Sequence, residues 1–124
     1  MKILFGVASA AMLLLGVSWL AFPQGALSSW GLRPDEGLVF IARRYGAMCL
    51  GYAVILWLSR GVERSPARTG LLLGNAIANG AMALLTVTAV TSGAVTAAAW
   101  SAAVVEGLLA VAFLYYCVSA RRGR

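Results

Sequence analysis

Residues 3–22 read ILFGVASAAMLLLGVSWLAF, a predominantly apolar run that contains no charged side chain. A helix rises about 1.5 Å per residue, so a run of this length spans a hydrocarbon core of about 30 Å. Pro23 and Gly25 follow the run and predict its end. The run therefore predicts a transmembrane helix. A cleaved signal peptide is the alternative, since Lys2 precedes the run, but the run is long for that purpose and no clean A-x-A site follows.

Three more apolar segments predict three more membrane helices. They cover about residues 35–58, 70–91 and 94–120. Pro34 and Asp35 signal the start of the second helix, because proline suits a first helical turn and an acid suits the positive end of the helix dipole. Of all residues 61% are hydrophobic and 11% are charged, whereas soluble domains are about 45–50% apolar and about a quarter charged. We therefore expect an all-α fold, a transmembrane four-helix bundle, with residues 1–124 as a single membrane domain.

The distribution of basic residues predicts the orientation of the helices. Four crossings place both termini on one side of the membrane, together with the loop between the second and third helices. Seven of the ten lysines and arginines then share this side: Lys2, Arg60, Arg64, Arg68, Arg121, Arg122 and Arg124. The positive-inside rule puts that side in the cytoplasm. We therefore expect cytoplasmic N and C termini and a place in the inner (cytoplasmic) membrane of the cell.

The net charge of +6 also bears on partners. Basic residues stand at the ends of apolar segments and in one loop, not along one exposed face. Anionic lipid headgroups at the cytoplasmic face are therefore the expected partners, and nucleic acid is not. Four aromatic residues are predicted to cluster near the opposite, outer interface, because amphipathic rings prefer the headgroup level: Trp19, Phe22, Trp30 and Tyr45.

The sequence carries little catalytic chemistry. It has no histidine, which removes the imidazole base, the His-ligated haem and the ordinary zinc or copper site. Its two cysteines, Cys49 and Cys117, fall within apolar segments and do not predict a disulfide. There is no glycine-rich phosphate loop and no serine paired with a base. We expect no metal and no cofactor, and the sequence favours a non-enzymatic role.

Glu106 is the most unusual side chain because it lies near the middle of the fourth helix. An ionisable group there is costly and usually faces other helices. Counting helical rise places Glu106, Asn79, Tyr52 and Ser9 at similar depths of roughly 18–21 Å, so we expect an intramembrane polar layer. A carboxyl group in that medium tends to take up a proton. Glu106 is then either a neutral contact between helices, bonded to one of the other three, or a proton or cation site.

Arg43 and Arg44 form the basic pair within an apolar context, about eight residues into the second helix. One interpretation is that they extend to the outer headgroups, as long charged side chains near helix ends do. The other is an inward contact with an anion or a quinone headgroup. Neighbouring residues point about 100° apart on a helix, so at least one guanidinium is expected at the outer headgroup level.

Small residues predict close helix packing, because in lipid helices associate where backbones can approach. Gly46 and Gly51 on the second helix give the stronger indication. Gly70 and Gly74 on the third helix lie four residues apart and give a weaker one, since such spacings also arise by chance.

Residues 41–60 read IARRYGAMCLGYAVILWLSR and are followed by a polar loop and two further apolar segments. This layout, with the Arg-Arg-Tyr-Gly run at 43–46, resembles small bacterial integral membrane proteins with four helices. The resemblance covers most of the chain in layout and implies the four-helix fold, but it implies no activity.

These observations favour a non-enzymatic integral membrane protein. We expect an accessory or assembly subunit of a larger membrane complex, or a small homo-oligomer, with a protein partner within the membrane. One alternative is a small transporter or channel that uses Glu106. A further alternative is a membrane enzyme that handles a lipid or a quinone, with Arg43 or Arg44 holding the headgroup.

Overall fold

A computed structural model describes residues 1–122, with side chains described through Ser119. This part of the chain contains no strand and folds into five α-helices, which confirms the all-α class. They are α1 (Lys2–Ala21), α2 (Pro23–Ser29), α3 (Glu36–Leu58), α4 (Pro66–Thr91) and α5 (Trp100–Arg122), with 3₁₀ turns at Ser59–Gly61 and Ala97–Ala99. The side chains of Arg121 and Arg122 and all of Arg124, which enter the charge argument, lie outside the described residues.

Four of the helices are long and apolar enough to cross a membrane. The candidate spans are Lys2–Ala21, Glu36–Gly61, Pro66–Thr91 and Ala97–Ser119. Large apolar side chains lie exposed along them, for example Ile3 at 80%, Met48 at 74% and Leu108 at 67%. Water would make so much exposed apolar surface unfavourable, whereas hydrocarbon tails carry no such penalty. The chain therefore has the composition of a multi-pass membrane protein.

The helices group into two compact units. The first unit, Lys2–Arg60, contains α1, α2 and α3, and the second unit contains Met1 and the chain from Gly61 onward with α4 and α5. Within the first unit α1 packs against α3, and within the second unit α4 packs against α5. Each unit is thus built on one pair of long helices.

Glycine lets α1 and α3 approach closely. A Cβ atom built at Gly46 would lie 2.7 Å from the backbone nitrogen of Leu20 and 2.9 Å from the carbonyl oxygen of Gly16. A Cβ atom at Gly16 would in turn lie 2.6 Å from Cδ2 of Leu50. The backbones themselves are therefore in contact, as expected for helices that associate in lipid. The packing role predicted for Gly46 is confirmed, while Gly16 is its unpredicted partner.

The other predicted glycines make no such close contact within their own units. A Cβ atom built at Gly51, Gly70 or Gly74 would meet no neighbouring atom within 4 Å. These three glycines are exposed on the surfaces of α3 and α4. Their spacing alone did not determine which face of each helix packs.

Two helix starts follow from capping. The Asp35 carboxylate accepts a hydrogen bond from the Leu38 amide at 2.7 Å, so α3 begins at Glu36. The Ser65 hydroxyl accepts one from the Arg68 amide at 3.2 Å, and Pro66 occupies the first turn. α4 therefore begins at Pro66 and not at Gly70 as predicted.

The connection between α4 and α5 is longer than predicted. Gly93 has a φ of 76°, which ends the α4 turn in a conformation that suits glycine. Thr96 is extended, with ψ at 163°, and precedes the 3₁₀ turn Ala97–Ala99. The helix expected from Ala94 therefore begins only at Trp100.

The loop after α1 contains the short helix α2 and a cluster of aromatic rings. Trp19 makes edge-to-face contacts with Trp30 at 5.6 Å and with Tyr45 at 5.9 Å between ring centroids. Leu27 of α2 is buried, at 2% exposure. These ring contacts tie α1, α3 and the loop together at one end of the first unit, whereas Phe22 is 69% exposed. The position of the aromatic residues at the outer interface stays a prediction.

We predict that Gly46→Ala lowers the free energy of unfolding by about 1–3 kcal/mol, because the new methyl group would press on the α1 backbone. Gly51→Ala is the matched control on the same helix. This substitution should leave the free energy of unfolding unchanged or raise it by up to about 1 kcal/mol. Alanine has a higher helix propensity than glycine, and its methyl group meets no neighbouring atom at position 51. Reversible unfolding in bicelles measures both, and equal effects of the two substitutions would contradict the packing account.

Candidate functional site

Four buried polar side chains of the second unit define the candidate site. Asn75, Asn79 and Thr86 lie on α4, and Glu106 lies on α5. Their exposed fractions are 1%, 4%, 6% and 6% in that order. The three α4 residues share one face, because positions separated by four and seven residues align on a helix. A Cβ atom built at Gly80 would lie 3.8 Å from the Cβ of Ala110, which places α4 and α5 in contact at this level.

The asparagines bond chiefly to their own helix. Nδ2 of Asn75 donates to the Leu71 carbonyl at 2.7 Å, and Nδ2 of Asn79 donates to the Asn75 carbonyl at 2.9 Å. Oδ1 of Asn75 has no hydrogen-bond partner among the described residues. An unsatisfied buried acceptor costs about 1–3 kcal/mol, so a polar partner at this oxygen would stabilise the unit.

Thr86 connects α4 to Glu106. Its hydroxyl oxygen lies 2.9 Å from the Met82 carbonyl oxygen and 3.4 Å from Oε2 of Glu106. The Thr86 hydroxyl donates to the Met82 carbonyl and, over the longer distance, to Oε2 of Glu106, so one hydrogen is shared between two acceptors. That Glu106 is a neutral carboxylic acid here stays a prediction, based on its burial in an apolar medium.

The four residues of the polar layer predicted from depth are divided between the two units. Asn79 and Glu106 are both buried in the second unit. In the first unit the Ser9 hydroxyl donates to the Ala53 carbonyl of α3 at 2.7 Å, and Tyr52 is half-buried. A single layer across all four helices stays a prediction.

Thr86 is the partner of Glu106 that the sequence reasoning missed. Its position on the Asn75 and Asn79 face was visible in the spacing. Depth counting selected Asn79 instead, because it took the last helix to begin at Ala94. The helix α5 begins at Trp100, and this longer connection places Glu106 level with Thr86.

Arg43 and Arg44 are both exposed. The guanidinium carbon of Arg44 lies 5.7 Å from the centroid of the Phe40 ring, one turn toward the start of α3. The side chain therefore follows the N-terminal tilt of helical side chains. This direction agrees with the interpretation that Arg44 extends toward the headgroups at that end of α3.

An arginine–tryptophan contact lies at the other end of α3. The Arg60 guanidinium lies 3.2 Å from the centroid of the Trp57 ring and donates from Nε to the Trp57 carbonyl at 3.0 Å. Such a pair combines a cation–π contact with a cap on the last carbonyls of the helix.

No group of three or more His, Cys, Asp or Glu residues that could hold a metal ion occurs among the described residues.

We predict that Thr86→Val lowers the free energy of unfolding by about 1 kcal/mol, the usual size of a polar contact between membrane helices. Thr88→Val is the control, because the Thr88 hydroxyl is exposed and bonds only within its own helix, to the Leu85 carbonyl at 2.8 Å. Its effect should stay within about 0.5 kcal/mol. Unfolding of both variants in bicelles checks this, and a Thr88→Val effect as large as that of Thr86→Val would rule out the interhelical contact.

The comparisons with known proteins place the chain in a family. No curated protein and no solved structure matches it. One family model, described as a domain of unknown function (DUF8292), matches residues 1–118, nearly the whole chain. The chain therefore belongs to the DUF8292 family.

Proposed function

We propose that the chain is a non-enzymatic, multi-pass membrane protein that serves as an accessory or assembly subunit of a larger membrane complex, or as a small homo-oligomer. The observation that carries this proposal is the environment of Glu106. Its side chain is only 6% exposed and contacts Thr86 on the paired helix. A transport site has to exchange with water, whereas a carboxyl group enclosed between two helices holds them together.

Unused small residues support an intermolecular role. Gly70, Gly74 and Ala78 recur at spacing four and are exposed on one face of α4. Cβ atoms built at the two glycines would meet nothing within 4 Å. Such a face lets the backbone of another membrane helix approach closely. A neighbouring subunit, either identical or different, is the partner that this surface fits.

The finer topology is part of the same proposal. Lys2, Arg60, Arg64 and Arg68 flank the ends of the spans, and the positive-inside rule then favours cytoplasmic termini in a bacterial inner membrane. The arrangement of the four spans as one bundle, in one domain, belongs with this proposal.

A small transporter or channel that uses Glu106 is the second candidate. The observation in its favour is Oδ1 of Asn75, a buried acceptor without a partner among the described residues, on the α4 face that also carries Thr86. A water molecule or a cation would satisfy this oxygen. Proton or cation flux into liposomes that is lost in Glu106→Gln would favour this candidate over the structural one.

We predict that a membrane-impermeant maleimide applied to intact cells labels Ser29→Cys and leaves Arg64→Cys unlabelled, because the Arg64 loop is proposed to be cytoplasmic. The native thiols, Cys49 and Cys117, are buried and are replaced by alanine in both variants. Permeabilised cells should label both sites, which controls for accessibility. Labelling of Arg64→Cys in intact cells would show that the Arg64 loop lies outside the cell, which would contradict the proposed topology.

We predict that Gly74→Leu disrupts association, because a large side chain on the exposed small-residue face keeps a second helix away. Ala47→Leu adds comparable bulk to an exposed position on α3 and should leave association unchanged. Co-purification from native membranes, with mass spectrometry and light scattering, measures partner retention and oligomer mass. A parent protein that is monomeric and without partners would overturn the proposal.

A further inference from the structure

Two exposed arginines lie within a candidate membrane span. Arg43 and Arg44 belong to the span Glu36–Gly61, and helical rise places them about 10–12 Å beyond its first residue. Both side chains are exposed. An arginine does not lose its proton, so each guanidinium needs an anion or water around it.

No carboxylate of the first unit pairs with these guanidinium groups. Neither arginine makes an ion pair or a hydrogen bond with the residues of Lys2–Arg60. The nearest acids along the chain stand at the start of α3, and the Asp35 carboxylate there accepts the Leu38 amide as a helix cap. The charge on α3 is therefore left for a partner from outside the unit.

The surroundings indicate where that partner lies. The Arg44 guanidinium stacks over Phe40, which is 62% exposed, and so points toward the start of α3. Tyr45 follows Arg44 in the chain and belongs to the ring cluster with Trp19 and Trp30, so the cluster lies at a similar level of α3. Tryptophan and tyrosine rings prefer the headgroup level of a bilayer, where lipid phosphates are the abundant anions.

We propose that Arg43 and Arg44 form a binding site for the phosphate groups of anionic phospholipid, in the leaflet where α3 begins. The planar guanidinium presents paired N–H donors that match two phosphate oxygens. Neighbouring residues on a helix point about 100° apart, so the pair offers two phosphate positions and not one. The occupant is an anionic lipid whose acyl chains lie along the exposed apolar surface of α3.

Native mass spectrometry of the full chain in mild detergent, titrated with phosphatidylglycerol or phosphatidylcholine, tests this proposal. The parent should retain up to two phosphatidylglycerol molecules and fewer of phosphatidylcholine. Arg43→Gln and Arg44→Gln should each lose one bound lipid. The double variant should bind about tenfold more weakly or worse, since a hydrogen bond to a charged group contributes more than the 1.4 kcal/mol equal to a factor of ten.

Two controls make the outcome decisive. Arg64→Gln removes the same charge from the loop before α4, outside the proposed site, and should lose less lipid binding than Arg43→Gln or Arg44→Gln. Helicity by circular dichroism should be unchanged in all variants. The double variant Arg43→Lys with Arg44→Lys keeps both charges but loses the paired N–H donors of the guanidinium groups. It should therefore bind phosphatidylglycerol more strongly than the double glutamine variant and more weakly than the parent. Equal binding by the double glutamine variant, an equal loss in Arg64→Gln, or displacement of the lipid by inorganic phosphate would each overturn the proposal.

Discussion

A carboxyl group enclosed between two apolar helices must be neutral or paired, and this constraint governs the second unit. Glu106 is buried, and Thr86 is the side chain that contacts it across the α4–α5 pair. Hydrocarbon gives an isolated carboxylate no solvation, so the free energy of burial is tolerable only with a proton and a hydrogen-bond partner. The Thr86 hydroxyl provides that partner while it remains bonded to its own helix. This contact links α4 to α5, and the role proposed for the chain is argued from it.

Lipid as a solvent explains the rest of the architecture. Apolar side chains gain little by moving from hydrocarbon to a helix interface, so close backbone contact and polar bonds must hold the helices together. The first unit uses both means, with Gly46 pressed against Gly16 and the Ser9 hydroxyl bonded to the Ala53 carbonyl. Its charges lie on the surface, where Arg44 turns toward the end of α3 that the aromatic rings mark. Different residues therefore hold the helices together and face the surroundings of the unit.

The sequence predicts what depends on length and average hydropathy, and it misses what depends on rotation. The four spans follow from long apolar runs, because any bilayer-spanning helix needs about twenty such residues. The partner of Glu106 and the contact at Gly16 require knowing which face of each helix meets its neighbour, and spacing alone left several faces open. The early start of α4 could have been predicted from Ser65 and Pro66, because a helix-capping signal depends only on neighbouring residues. The helix α2 was harder to predict from the sequence, because the burial of Leu27 depends on how the folded unit packs.

Infrared difference spectroscopy of the parent against Glu106→Gln, in lipid at neutral pH, tests the central claim most directly. The chain has only four acidic residues, and the other three serve as matched references, because Asp35, Glu36 and Glu63 are exposed. A neutral Glu106 contributes a carboxylic acid C=O band that disappears in Glu106→Gln and shifts in Thr86→Val. Loss of a carboxylate band in Glu106→Gln, with the carboxylic acid region unchanged, would contradict the account, because it would mean that a charged group lies between α4 and α5.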